Sequence, residues 1–136
     1  MAFVLDNSVS MAWCFEDQAT PYTDRVLDLL LGDAAHVPAI WPLEVANAVV
    51  VGARRRILPT DRSARFMGIV RMLPIIVDEV QLERALGAIL DIARATQLTA
   101  YDASYLELAQ RRSLPLATKD GRLSAAARQL GVDLVQ

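Results

Sequence analysis

The chain predicts an α/β fold: a central, mainly parallel sheet of about five strands with helices on both faces, built as one domain over residues 1–136. Three observations carry this expectation. Short β-branched runs alternate with helical patterns along the whole sequence, and such alternation implies crossover connections between parallel strands. No repeat, low-complexity segment or Gly/Ser/Pro-rich linker divides the chain. Finally, 54% of the residues are apolar, enough to build a core without disulfides or a structural metal.

The elements follow in order. "AFVL" (2–5) reads as a buried strand, followed by a helical stretch from about Ser8 to Phe15. "YTDRVLDLLL" (22–31) has apolar residues at helical spacing, and Gly32 stops it. "HVPA" (36–39) is short and extended. "PLEVANAVVVGARRR" (42–56) opens with proline at a favoured first-turn position, so it reads as a helix. "TDRSARFMGIVRML" (60–73) is another helix, and "PIIVD" (74–78) a third strand. "QLERALGAILDIARATQ" (81–97) is the longest amphipathic stretch, and "AYDASYLELAQRR" (100–112) follows it directly. "PLAT" (115–118), a helix within "KDGRLSAAARQLGV" and a last strand "VDLV" (132–135) close the chain.

Charge narrows the function classes. With 14 basic and 16 acidic residues the formal net charge is −2, so the overall field does not steer the protein onto nucleic acid. Any such binding needs a local patch. Arg54, Arg55 and Arg56, followed by Arg62, Arg65 and Arg71 with only Asp61 opposing, supply one candidate. The same cations also suit a helix C-terminus. "AVVVGA" and "MLPIIV" are broken by Gly52 and Pro74, too short to span a bilayer, so no membrane association is expected. "MAFVLDNS" has no basic region of the kind that opens a signal peptide. The single cysteine, Cys14, excludes an intrachain disulfide and fits a cytoplasmic protein.

Four acids fall where an α/β sheet presents chemistry, beyond the carboxyl ends of its strands. Asp6 follows "AFVL", and Asp120 follows "PLAT" by one residue. Glu44 sits in the first turn of the helix after "HVPA". Asp102 closes Thr99-Ala100-Tyr101-Asp102, which has the capping-box form. Each acid alone suits a helix start, because the macrodipole favours negative charge there. Together they ask for more, since Ser, Thr or Asn would cap without mutual repulsion. An all-oxygen set selects Mg²⁺ or Mn²⁺ over zinc. His36 and Cys14, one of each, do not make a typical Cys/His zinc site.

Taken together, "FVLDNSVSMAWCFED", "LEVANAVVVG" and "TAYDASYLELAQRRSLPLATKDGRLSAAARQLGV" resemble a PIN domain, and specifically the VapC-type toxin nucleases. The resemblance covers essentially the whole chain, and its order of motifs is more specific than any one of them. It implies that Asp6, Glu44, Asp102 and Asp120 form a metal-holding acidic cluster. It further implies that Ser8 and Thr118 orient the cluster or its water, and that Asn47 supports it from the face of Glu44. The activity implied is Mg²⁺-dependent hydrolysis of RNA by a dimeric toxin, neutralised by a cognate antitoxin. A divalent cation supplies a nucleophile at neutral pH and offsets charge on the phosphate oxygens. A metal-free route through a cyclic phosphate would usually want two histidines, and the chain has one. The expected products carry a 5′-phosphate and a 3′-hydroxyl.

Two other readings compete. A phospho-acceptor receiver would use Asp6, Asp78, Thr118 and Lys119, but receivers pair two acids after the first strand, and Asp6 is followed by Asn7 and Ser8. That reading also leaves Glu44 and Asp102 without a purpose. The other is a catalytically silent PIN-like scaffold that binds RNA, against which the intact acidic set weighs.

Overall fold

The computed structural model describes all 136 residues. Four parallel strands form the sheet in the order β3-β2-β1-β4: β1 (Phe3–Leu5), β2 (Ala35–Val37), β3 (Ile75–Val77) and β4 (Leu116–Ala117). Every residue of β1 and β4 is buried, as strands covered on both faces require. β3 is the edge strand, and Ile76 and Val77 on it are exposed. The fifth expected strand, "VDLV", is reduced to one parallel bridge between Leu116 and Leu134. Its backbone follows β4 through only two hydrogen bonds, Leu116 N–H to Asp133 O at 2.8 Å and Val135 N–H to Leu116 O at 2.9 Å.

The chain leaves β1 in one direction, through β2 to β3, then returns to the other side of β1 to lay down β4. The order of the strands therefore reverses between β1 and β4. A crevice opens at such a switch point, beyond the carboxyl ends of the strands.

The helices are α1 (Asn7–Cys14), α2 (Pro21–Leu29), α3 (Trp41–Arg54), α4 (Thr60–Met72), α5 (Leu82–Arg84), α6 (Leu90–Thr96), α7 (Ala100–Arg112) and α8 (Gly121–Gln129). α7 packs across β1, β2 and β4, with α6 behind it, while α1 gathers α2, α3 and α4 into a second group. Thr20 starts α2 with a reciprocal capping box to Thr23, and Pro21 follows at its first position. Gly52 lets α3 approach its neighbours closely. A β-carbon there would stand 2.9 Å from the Phe15 ring and 3.0 Å from Leu58 Cβ.

The stretch expected as one helix over 81–97 is not uniform. A π-helical segment, Ala85–Ile89, separates α5 from α6. Gly87 lies inside this widened turn, where its weak helix propensity lowers the resistance to distortion. Gln97 then ends α6 in the left-handed region (φ 59°), and α7 begins within three residues. This tight turn sets the start of α7, and Asp102 in its first turn, directly after α6. No helix is long and apolar enough to cross a membrane.

Candidate active site

Asp6 occupies the N-cap position of α1, yet its carboxylate caps nothing. Instead Oδ2 accepts the hydroxyls of Ser8 at 2.6 Å and Thr118 at 2.7 Å. The two hydroxyl oxygens are 3.3 Å apart. Ser8 Oγ also accepts the Lys119 N–H at 2.9 Å, and Thr118 Oγ1 the Asp120 N–H at 3.0 Å. These bonds tie the end of β1 to the end of β4, across the switch point. Asp6 is itself buried. Burial raises its pKa above the ordinary carboxylate value, the two hydroxyls oppose the rise, and the charge of Asp102 adds to it.

Glu44 stands in the first turn of α3 and is half-buried. Its Oε1 accepts the hydroxyl of Tyr105, a fully buried residue of α7. Burial pushes the Glu44 carboxyl up, the Tyr105 bond holds it down, and the charges of Asp6 and Asp102 push it up again. The Tyr105 phenol is driven upward in turn, by its burial and by Glu44, so it remains a hydrogen-bond donor.

Asp102 lies in the first turn of α7. Thr99 caps that helix by accepting the Asp102 N–H at 3.1 Å, and no reciprocal bond completes the capping box. The cap is therefore made by the threonine, and the carboxylate is not consumed by it. Burial raises the Asp102 pKa, and the charge of Asp120 raises it further, against the opposing effects of Thr99 and Arg122.

Asp120 does cap its helix. Its Oδ1 accepts the N–H groups of Arg122 at 2.9 Å and Leu123 at 3.2 Å. One oxygen takes both bonds, which leaves Oδ2 uncommitted. The same division recurs at Asp6, where Oδ2 takes both hydroxyls, and at Glu44, where Oε1 takes the phenol. Each of the three acids is thus anchored through one oxygen and presents the other.

This donor set fits a hard divalent cation. It consists of oxygens only, and the charges of Asp6, Glu44 and Asp102 act on one another. No three acidic, histidine or cysteine side chains stand close enough to enclose an ion by themselves. Magnesium keeps several of its waters and is usually held through one or two carboxylates, so an open rim of acids suits it better than a closed cage.

The other candidates fall at varied distances from this chemistry. Asn47 is exposed on α3. Arg54, Arg55 and Arg56 are exposed at the end of the same helix, about 15 Å along its axis from Glu44. Arg62 is spoken for: it donates to Cys14 O at 2.9 Å and to Glu16 at 3.0 Å. Cys14 is buried, which raises its thiol pKa, and His36 is held below its ordinary value by burial and by Arg112.

Asp78, which the receiver reading needs, is held elsewhere. It pairs with Arg111, and with Arg84 and Arg112 at 3.5 Å each. Burial alone would raise its carboxyl, but the Arg111 hydrogen bond and the surrounding guanidinium charges bring it below the ordinary range. Buried Glu107 completes this network through Arg111 at 2.8 Å.

Two residues near the acids do not stand out from the sequence alone. Tyr105 follows Asp102 by three positions, a spacing that places both on one helix face, but an aromatic there reads first as core. Arg122 reads as a solvated helix residue. Only the fold brings its charge to Asp102.

The solved structure of PAE2754 from Pyrobaculum aerophilum is similar, with 25% identity and a TM-score of 0.66 over 93% of this chain and 87% of that one. FitAcB from Neisseria gonorrhoeae shares the fold at 18% identity, with a TM-score of 0.63 over 100% of this chain and 97% of that one. No curated protein matches the sequence. The family model described as PIN domain matches residues 3–129, from the first residue of β1 to the last of α8. All four acids fall inside that span, and the chain belongs to the PIN domain family.

Proposed function

We propose that this protein is a Mg²⁺- or Mn²⁺-dependent endoribonuclease, acting as a homodimeric VapC-type toxin that a cognate antitoxin silences in the cytoplasm. The observation that carries the reading is the joining of the acids at the strand ends: Thr118 bonds both the Asp6 carboxylate and the Asp120 N–H, and Glu44 is tied to Tyr105, one turn along α7 from Asp102. Asp6, Glu44 and Asp102 each have a pKa raised by burial and by the charge of another acid, a cost that a bound cation removes. Asp6, Glu44, Asp102 and Asp120 would hold the cation between them, one or two directly and the others through its waters, with the carboxylate oxygens that no anchoring bond takes up. When bound, the cation supplies a nucleophile at neutral pH and neutralises charge on the scissile phosphate.

The protein's own groups do the rest. Ser8 and Thr118 fix Asp6 and tie it to the backbone that leads into Asp120. The acids repel bare phosphate, so RNA enters productively only with the cation present. An antitoxin that offers an arginine fork to the carboxylates would compete for the same charge. Membership of the family, the order of motifs in the chain and the free carboxylate oxygens support this assignment over a silent scaffold.

Sequencing the ends of RNA fragments made by the purified protein with Mg²⁺ tests it. The expected ends are 5′-phosphate and 3′-hydroxyl. Cyclic phosphate ends, or RNA bound without cleavage, would overturn the reading.

The arginines at the end of α3 give a separate expectation. Changing Arg55 and Arg56 to Gln should weaken RNA binding for all sequences. It should also flatten the log–log salt dependence by up to roughly one unit per lost phosphate contact. Binding measured across a salt series checks this, and an unchanged slope assigns both residues to the solvated helix end.

A further inference from the structure

The Tyr105 hydroxyl and Glu44 form the one hydrogen bond that joins α7 to α3. The ring sits wholly in the core, where phenylalanine would fill the same space. Only the hydroxyl reaches the acidic rim, and there it meets a carboxylate. Tyr105 also follows Asp102 by three residues on α7, so one helix face carries an acid and the donor that fixes a second acid from another helix.

Glu44 needs such a partner more than Asp6 and Asp120 do. Its side chain has one more rotatable bond than an aspartate and stands on a half-exposed helix start, free to turn toward solvent. Asp6 is held by two hydroxyls and Asp120 by two backbone N–H groups. Glu44 has Tyr105 alone. We infer that Tyr105 is a positioning residue that holds Glu44 beside Asp102, with Oε2 turned out to receive the divalent cation. The inference rests on the metal-holding role proposed above for Glu44. Groups that orient a ligand without touching the metal are worth about 10- to 100-fold in affinity.

Mn²⁺ binding, followed by calorimetry on the full chain, tests it without reference to activity. Tyr105→Phe should weaken Mn²⁺ about 10- to 100-fold. Glu44→Gln should weaken it at least as much, and the double variant no further, because the tyrosine acts only through the glutamate. Full Mn²⁺ affinity in Tyr105→Phe, with Glu44→Gln impaired, overturns the role of Tyr105 and leaves the metal site standing. Equal affinity in wild type and Glu44→Gln overturns both. Additive losses in the double variant also overturn it, since they place the tyrosine in a separate pathway. A second measurement avoids any loss of folding in the tyrosine variant. In unmutated protein carrying ¹³C-tyrosine, Mg²⁺ should shift the Tyr105 ring-carbon resonance nearest the hydroxyl, and Glu44→Gln should abolish the shift. Persistence of the shift in Glu44→Gln counts against the inference.

Discussion

Asp102→Asn should lower RNA cleavage by at least about 100-fold, the upper end of what losing a mere orienting group costs a metal site. Adding Asp6→Asn should cost little more, because groups that act as one unit are not additive. The structure sharpens this expectation at Asp102. Thr99 caps α7, and the Asp102 carboxylate does not return the bond to the Thr99 backbone, so its replacement by asparagine leaves the helix start intact. The amide keeps the shape of the side chain but removes the charge that acts on Asp6 and Glu44. A large loss of cleavage with unchanged helix content therefore reports on the cleft. Single-turnover rates of the two single variants and the double variant, at saturating Mg²⁺, make the measurement. Near-normal cleavage by Asp102→Asn would remove it from the site. Multiplying losses in the double variant would mean that Asp6 and Asp102 act separately.

How far the site can be read from sequence depends on what holds each residue. Asp6 follows its strand directly and Asp120 lies within three residues of its own, and strand-end position is a local signal that alternating patterns make legible. Sheet order is not local. The reversal between β1 and β4 brings Ser8 and Thr118 to within 3.3 Å across 110 residues of chain, and no spacing rule measures that. Tyr105 shows the same limit, because a buried aromatic at helical spacing looks like core, and its ring is core. Only its hydroxyl departs from that pattern. The elements that depart from their sequence pattern do so for physical reasons. "VDLV" has strand composition but finds room for only one bridge, and the widened turn at Ala85–Ile89 keeps helical spacing while changing the hydrogen bonding beneath it. The capping motif at Thr99 marks the start of α7 correctly, yet says nothing of where the acid of that motif points.

Stability offers a test of the cluster that needs no substrate. Without metal, wild-type protein should lose stability as pH rises out of the acid range, and Asp102→Asn should lose less. Asp6, Glu44 and Asp102 all have folded-state pKa values above their ordinary ones. The native state therefore keeps protons that the unfolded chain has released, and stability falls with rising pH wherever that is so. The fall begins near the unfolded carboxylate range, at about pH 4. It is complete once pH exceeds the raised native values. Asp78 works in the opposite sense, since its depressed pKa contributes stability above the unfolded value that is lost as pH falls. The difference between wild type and Asp102→Asn cancels that common background. Removing the charge of Asp102 also relieves Asp6 and Glu44, so the variant should melt higher than wild type at neutral pH in EDTA. Each kcal/mol of relief corresponds to roughly 3–5 °C for a chain of this size. Mg²⁺ should then reverse the order. A cation that binds only the folded protein adds about 2.7 kcal/mol at a hundred times its dissociation constant, on the order of 10 °C in wild type. Asp102→Asn should gain far less at the same concentration. A residue present only for its helix end would instead lower both curves alike, because asparagine lacks the charge that the helix start favours. Melting curves of both proteins at neutral pH, in EDTA and in Mg²⁺, decide between the two roles. If the variant and wild type respond to Mg²⁺ alike, Asp102 takes no part in holding the cation, whatever its effect on RNA cleavage.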